Sequence, residues 1–248
     1  CEQVEDPKLA KGLVRREVVR LYTPGTLVDT EFLSPSESHF LVAVAFSDAM
    51  ASSAKGQSVI GLACLDVSTG EFWMTEFQGA QAETQLMDEL ARLEPREVLH
   101  QDSTAHAGTC MAHLRGPRLC AQPSSAFNPK DAAQLLQTQF AVQSLDGFGC
   151  RGLTAGIGAA GAVLRYFRET QPTASLAHLR RLHTRWSSDA MHLDSATIRN
   201  LELVRPLGFS EPRSGQDQST VLSVLDRTAT AMGSRLLRDW LVRPLLNR

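Results

Sequence analysis

The sequence predicts a layered α/β domain followed by a mainly helical segment. Three observations carry this: successive apolar, β-prone runs joined by short polar loops, an amphipathic helical stretch leading into a further strand, and a change of composition after Gln171-Pro172-Thr173. With 43% hydrophobic and 21% charged residues over 248 positions, the chain has the apolar material for a core.

Residues 1–24 mix charges of both signs and end in the run Val18-Val19-Arg20-Leu21-Tyr22, which Thr23-Pro24-Gly25-Thr26 closes with strong turn chemistry. His39 to Phe46, Val59 to Val67 and Glu71 to Phe77 then read as three strands of an antiparallel meander. Ala80 to Leu93 places Leu86, Met87, Leu90 and Leu93 on one helical face, Pro95 ends the pattern, and Arg96 to His100 reads as another strand. Asn128-Pro129 opens a helix through Phe140, since a proline at the first helical position sacrifices no hydrogen bond. A longer helix spans Arg151 to Glu169. Beyond Pro172, Asp194 or Ser195 caps Ala196 to Leu203, and Ser219 caps Thr220 to Leu225. Met232 to Val242 then sets Leu236 with Trp240, and Leu237 with Leu241, at i,i+4 before Pro244.

Lys+Arg 25 against Asp+Glu 27 leaves a formal charge of −2, which excludes a strongly basic nucleic-acid module as a description of the whole chain. The longest uncharged apolar stretch, Gly152 to Leu164, is too short to span a bilayer. Five cysteines, irregularly spaced and without C-x-x-C, suit reduced thiols in a cytosolic protein. The chain begins at Cys1 and stops at Arg248 just after a helical pattern, so it is expected to be a piece of something longer.

Four constellations suggest chemistry, and each has a plainer reading. Gly156-Ile157-Gly158-Ala159-Ala160-Gly161 spells G-x-G-x-x-G, but no strand delivers the chain into it, so small residues packing a buried helix explain it better. His106, Cys110, His113 and Cys120 make four potential zinc ligands on paper, without the close pairs that structural zinc sites use. Asp66 ends an apolar strand before Ser68-Thr69-Gly70, as in a metal-dependent nuclease with Glu71, Asp131 or Asp146 as partners; a turn-capping aspartate accounts for the same residues. Arg180-Arg181-Leu182-His183-Thr184-Arg185-Trp186 mixes cations with an aromatic ring, as a phosphate-contacting strip would, but such runs are usually solvated faces or inter-domain ion pairs.

Several longer strings resemble one family, the MutS DNA mismatch-repair proteins. Cys1-Glu2-Gln3, Asp6-Pro7, Lys11-Gly12, Arg16 to Arg20 and Thr23-Pro24-Gly25-Thr26 resemble the stretch leaving the family's mismatch-binding domain. Leu65 to Phe72 resembles its connector, while Met191 to Leu203 and Leu225 to Leu245 resemble the start of its core, or lever, domain. The resemblance implies residues 1–24 as a domain tail and linker, 25–172 as a ribonuclease-H-like connector with a mixed sheet flanked by helices, and 173–248 as an all-helical partial core.

It also implies a non-catalytic role for this stretch. The parent protein would bind mismatched double-stranded DNA, dimerise and hydrolyse ATP with Mg in the bacterial cytosol, in association with the nucleoid. The connector would relay conformational change and dock MutL through a helix preceding a Gly-Phe-Gly turn. The matching turn is Gly147-Phe148-Gly149, and the matching helix carries Gln134 and Gln137, with Leu135 where relatives commonly have a polar residue. Thr23, Pro24, Gly25 and Pro172 are the expected hinge residues. The alternative function is a metal-dependent, ribonuclease-H-like nuclease centred on Asp66.

Overall fold

In the computed structural model the described residues are 2–3, 13–14, 16–27, 38–47, 58–102, 111, 114, 116–174, 176–207 and 220–246. The meander forms as β3 (Phe40–Phe46), β4 (Val59–Asp66) and β5 (Glu71–Gln78), each antiparallel to the next. Its strands read as near-continuous apolar runs because both of their faces are covered. Leu41, Ala43 and Ala45 point into one core, whereas Val42 and Val44 point into the other. A short ribbon, β1 (Glu2–Gln3) with β2 (Arg16–Glu17), stands apart from this sheet.

Helix α1 (Ala82–Leu93) covers one face with Ala82, Leu86 and Leu90, and β6 (Glu97–Gln101) then runs parallel to β3. A further strand that the sequence reading lacked, β7 (Arg118–Gln122), runs parallel to β6 and ends that side of the sheet. The other face is covered by α2 (Pro129–Phe140) and α3 (Thr154–Thr170). The order across the sheet is β7-β6-β3-β4-β5-β8, where β8 (His183–Thr184) is parallel to β5. The architecture is therefore the expected mixed sheet flanked by helices and followed by helices. Its departure from an all-helical second segment is β8, which lies beyond Pro172 yet completes the sheet.

The G-x-G-x-x-G string lies inside α3, where glycine permits close contact. A Cβ on Gly158 would lie 2.4 Å from the Phe127 carbonyl oxygen, and one on Gly161 would lie 2.3 Å from the Ala132 Cβ of α2. The remaining helices are short. Asp194 caps α4 (Ser195–Asn200), which stops before Leu203 and gives way to Glu202 at φ 47°. Thr220 caps α5 (Val221–Leu225) in a reciprocal pair with Ser223, and Thr230 caps α6 (Ala231–Val242). The predicted cap Ser219 lies outside the described residues. No helix among the described residues is long and apolar enough to cross a membrane.

Candidate relay and docking surfaces

The two hinge segments expected from the sequence meet in space. Leu21 N–H donates to the Thr170 carbonyl (2.8 Å), and the Gln171 side-chain amide donates to the carbonyls of Leu21 (3.1 Å) and Thr26 (3.3 Å). The Arg20 Nε donates to Thr173 Oγ1 at 3.4 Å. Within the turn, the hydroxyls of Thr23 and Thr26 are hydrogen-bonded at 2.8 Å, while Pro24 and Pro172 are exposed.

Beneath the turn lies Glu97, fully buried, whose carboxylate accepts from Gly25 N–H (3.1 Å) and the Tyr166 hydroxyl (2.8 Å), with Arg118 Nε 3.9 Å away. A buried carboxylate is tolerable only with such partners. Burial, reinforced by the Glu97 carboxylate beside it, pushes the Tyr166 phenol above its ordinary range, so it stays a donor. A Cβ on Gly25 would come within 2.8 Å of the Glu97 Cβ, so the turn sits directly on the strand that carries this carboxylate.

The candidate docking helix is α2. Asn128 caps it by accepting from Lys130 N–H at 2.9 Å, and Pro129 occupies the first turn. Leu136 is buried and Leu135 packs half-buried against the same core, which leaves Gln134 exposed and Gln137 half-buried on the outer side. Phe140, at the end of α2, packs against Phe148 of the Gly-Phe-Gly turn with ring centroids 5.3 Å apart and the planes tilted by 59°. The Thr184 hydroxyl of β8 donates to the Phe148 carbonyl at 2.8 Å. Helix and turn thus form one continuous, supported surface.

The model of MutS domain II matches residues 39–180, more than half of the chain. The chain belongs to the MutS family. Models of MutS domain I and MutS domain III match residues 1–31 and 196–248. Among curated relatives, the DNA mismatch repair protein MutS of Symbiobacterium thermophilum is 42% identical over 249 residues, covering 100% of this chain and 27% of its own length. That of Myxococcus xanthus is 41% identical over 249 residues (99% of this chain, 26% of its own), and that of Methanosarcina barkeri is 37% identical over 250 (100% and 27%). The chain therefore spans about a quarter of the length of these MutS relatives.

In this MutS chain the competing chemistries lose their residues to structural duties. Asp66 is buried and accepts from Ser68 N–H (2.9 Å), the Ser68 hydroxyl (2.6 Å) and His39 N–H (3.3 Å), which is a capped turn. Of its suggested partners, Glu71 is ion-paired with Arg185, and Asp131 and Asp146 are exposed in the first turns of separate helical elements. The nuclease alternative is unsupported. At the start of α3 the Glu76 carboxylate accepts from Gly156 N–H at 2.9 Å, filling the place a dinucleotide phosphate would take. His106, Cys110 and His113 lie outside the described residues, and Cys120 is in β7. In the basic strip Arg180 and Arg181 are exposed, but Arg185 is engaged in ion pairs. Its acidic partner Asp239 and the residues Asp88 and Glu94 of the α1 region escaped sequence reasoning, because each is a single surface charge without a motif.

Proposed function

We propose that this chain is the connector and adjoining core segment of a MutS mismatch-repair protein, acting as a non-catalytic relay between DNA-bound and ATP-hydrolysing parts. The observation that carries the reading is the fastened joint where Leu21–Thr26 meets Thr170–Thr173: a layered body held in this way where the chain enters it moves as a unit. In this reading residues 1–24 are the tail of the mismatch-binding domain, 25–172 the connector and 173–248 the start of the core. Thr23, Pro24, Gly25 and Pro172 form the joint on the mismatch-binding side. Recognition of mismatched double-stranded DNA, dimerisation, and hydrolysis of ATP with Mg belong to the longer protein, in the bacterial cytosol at the nucleoid. At the glycine-rich helix start, the Glu76 carboxylate takes the Gly156 N–H that a phosphate would need.

The outer side of α2 is the MutL-docking face, with Gln134, Leu135 and Gln137 as contacts and the half-buried Leu135 also packing against the core. Changing both glutamines to glutamate in the full-length protein is expected to weaken MutL recruitment while leaving mismatch binding intact; unchanged recruitment contradicts the docking role. A mobility-shift titration tests the relay role itself. The 248-residue chain should show no tight, mismatch-selective binding to a duplex, and such binding would overturn it.

A further inference from the structure

After Pro172 the chain remains part of the sheet body. Leu179 and Leu182 are buried in its core, β8 pairs with β5, and Arg185 N–H donates to the Met74 carbonyl at 2.9 Å. One residue later the chain changes allegiance. The Trp186 carbonyl accepts from Arg243 Nη2 (3.2 Å), Leu246 N–H donates to the Asp189 carbonyl (3.2 Å), and Met191 N–H donates to the Pro244 carbonyl (2.8 Å). The apolar cluster of Ile198, Leu203 and Val242 is separate from both sheet cores.

Charged side chains bridge the two bodies. Glu94, just past α1, pairs with Arg205 (3.0 Å) and Arg238 (2.8 Å). Asp88 of α1 faces His192 Nε2 (3.4 Å) and accepts from Ser195 N–H (3.3 Å). The Arg185 guanidinium lies 4.3 Å from the centroid of the Trp73 ring, holds Glu71 at 2.7 Å and reaches Asp239 of α6 at 3.8 Å. Glu94 has φ 48°, a backbone conformation that favours glycine, so a residue with a carboxylate stands where a helix end ordinarily selects none.

We propose that these contacts form a releasable ionic dock between connector and core, with the Arg185–Trp186 peptide as the pivot, Arg185 as the pin, and Asp88 and Glu94 as the catches. Partly exposed ion pairs are weak singly and screened by salt, so a dock made from them opens without unfolding either body. The dock deepens the relay reading and rests on it: this is the joint on the core side, where motion would pass between the two bodies.

The test uses the 248-residue chain with spin labels on cysteines at positions 91 and 236, and with Cys1, Cys110 and Cys120 changed to serine. At low ionic strength one narrow distance distribution is expected, broadening and shifting in about 1 M salt, where the screening length falls to about 3 Å. Glu94→Gly, which suits the backbone and removes two of the pairs, should broaden the distribution toward the open form at low salt with circular dichroism unchanged. A charge swap, Glu94→Lys with Arg205→Glu and Arg238→Glu, should close it again. A distribution that ignores both salt and Glu94→Gly overturns the dock. Opening by salt in this chain, with no nucleotide-dependent movement in the full-length protein, would uphold the dock and defeat the relay.

Discussion

Tyr166 and Glu97 show how single side chains define the joint. Glu97 is buried with no exposure, and it was legible only as part of a strand because nothing in the sequence announces that a turn 72 residues earlier will rest on it. Tyr166→Phe removes the shorter of its hydrogen bonds from Gly25 and Tyr166 and is expected to cost about 1–3 kcal/mol in urea unfolding, the usual penalty for an under-satisfied buried group. An unchanged midpoint would show that the pair does not hold the turn. Asp194 offers a pH test. Thr197, through its side chain and its N–H, stabilises the charged form and holds this carboxyl below the ordinary value of 3.8. The cap's contribution is therefore present above that value and is lost as pH falls through the lower, folded-state pKa. The Thr197 amide resonance should titrate with a midpoint under 3.8, and Asp194→Asn should abolish the transition. A midpoint at or above the ordinary value would contradict the cap.

Elements were legible where local chemistry and packing agree. The β3–β5 meander follows from apolar runs between polar loops, and α2 begins where Asn128 and Pro129 said it should. β7 was missed because Arg-Leu-Cys-Ala-Gln carries no β-branched residue, and its pairing with β6 is decided by tertiary contact. β8 was missed because two residues are too few for any pattern to register. The glycines of α3 were legible as packing residues, and the prediction is quantitative. Gly161→Ala puts a methyl 2.3 Å from the Ala132 Cβ and should destabilise by about 1–3 kcal/mol, as overpacking does. Gly147→Ala, which meets nothing within 4 Å, should stay within about 0.5 kcal/mol. Equal denaturation midpoints for the two variants would refute close helix packing as the role of the motif.

At the scale of the whole molecule, the family resemblance legible in strings such as Leu65 to Phe72 agrees with domain models that follow one another along the chain. The sequence could not supply the way the bodies meet, because ion pairs such as Glu94 with Arg238 join residues 144 positions apart and leave no periodic trace. Two bodies, each with its own apolar packing, are linked at Arg185–Trp186 and bridged by charge. A relay requires these bodies to change their relative position as the protein works. The direct measurement is the distance between spin labels at positions 91 and 236 in the full-length MutS protein, without nucleotide and with ATP bound beside a mismatched duplex. Two different distances are expected, with the Glu94→Gly protein shifted toward the second state even without nucleotide. One fixed distance in every condition would contradict it.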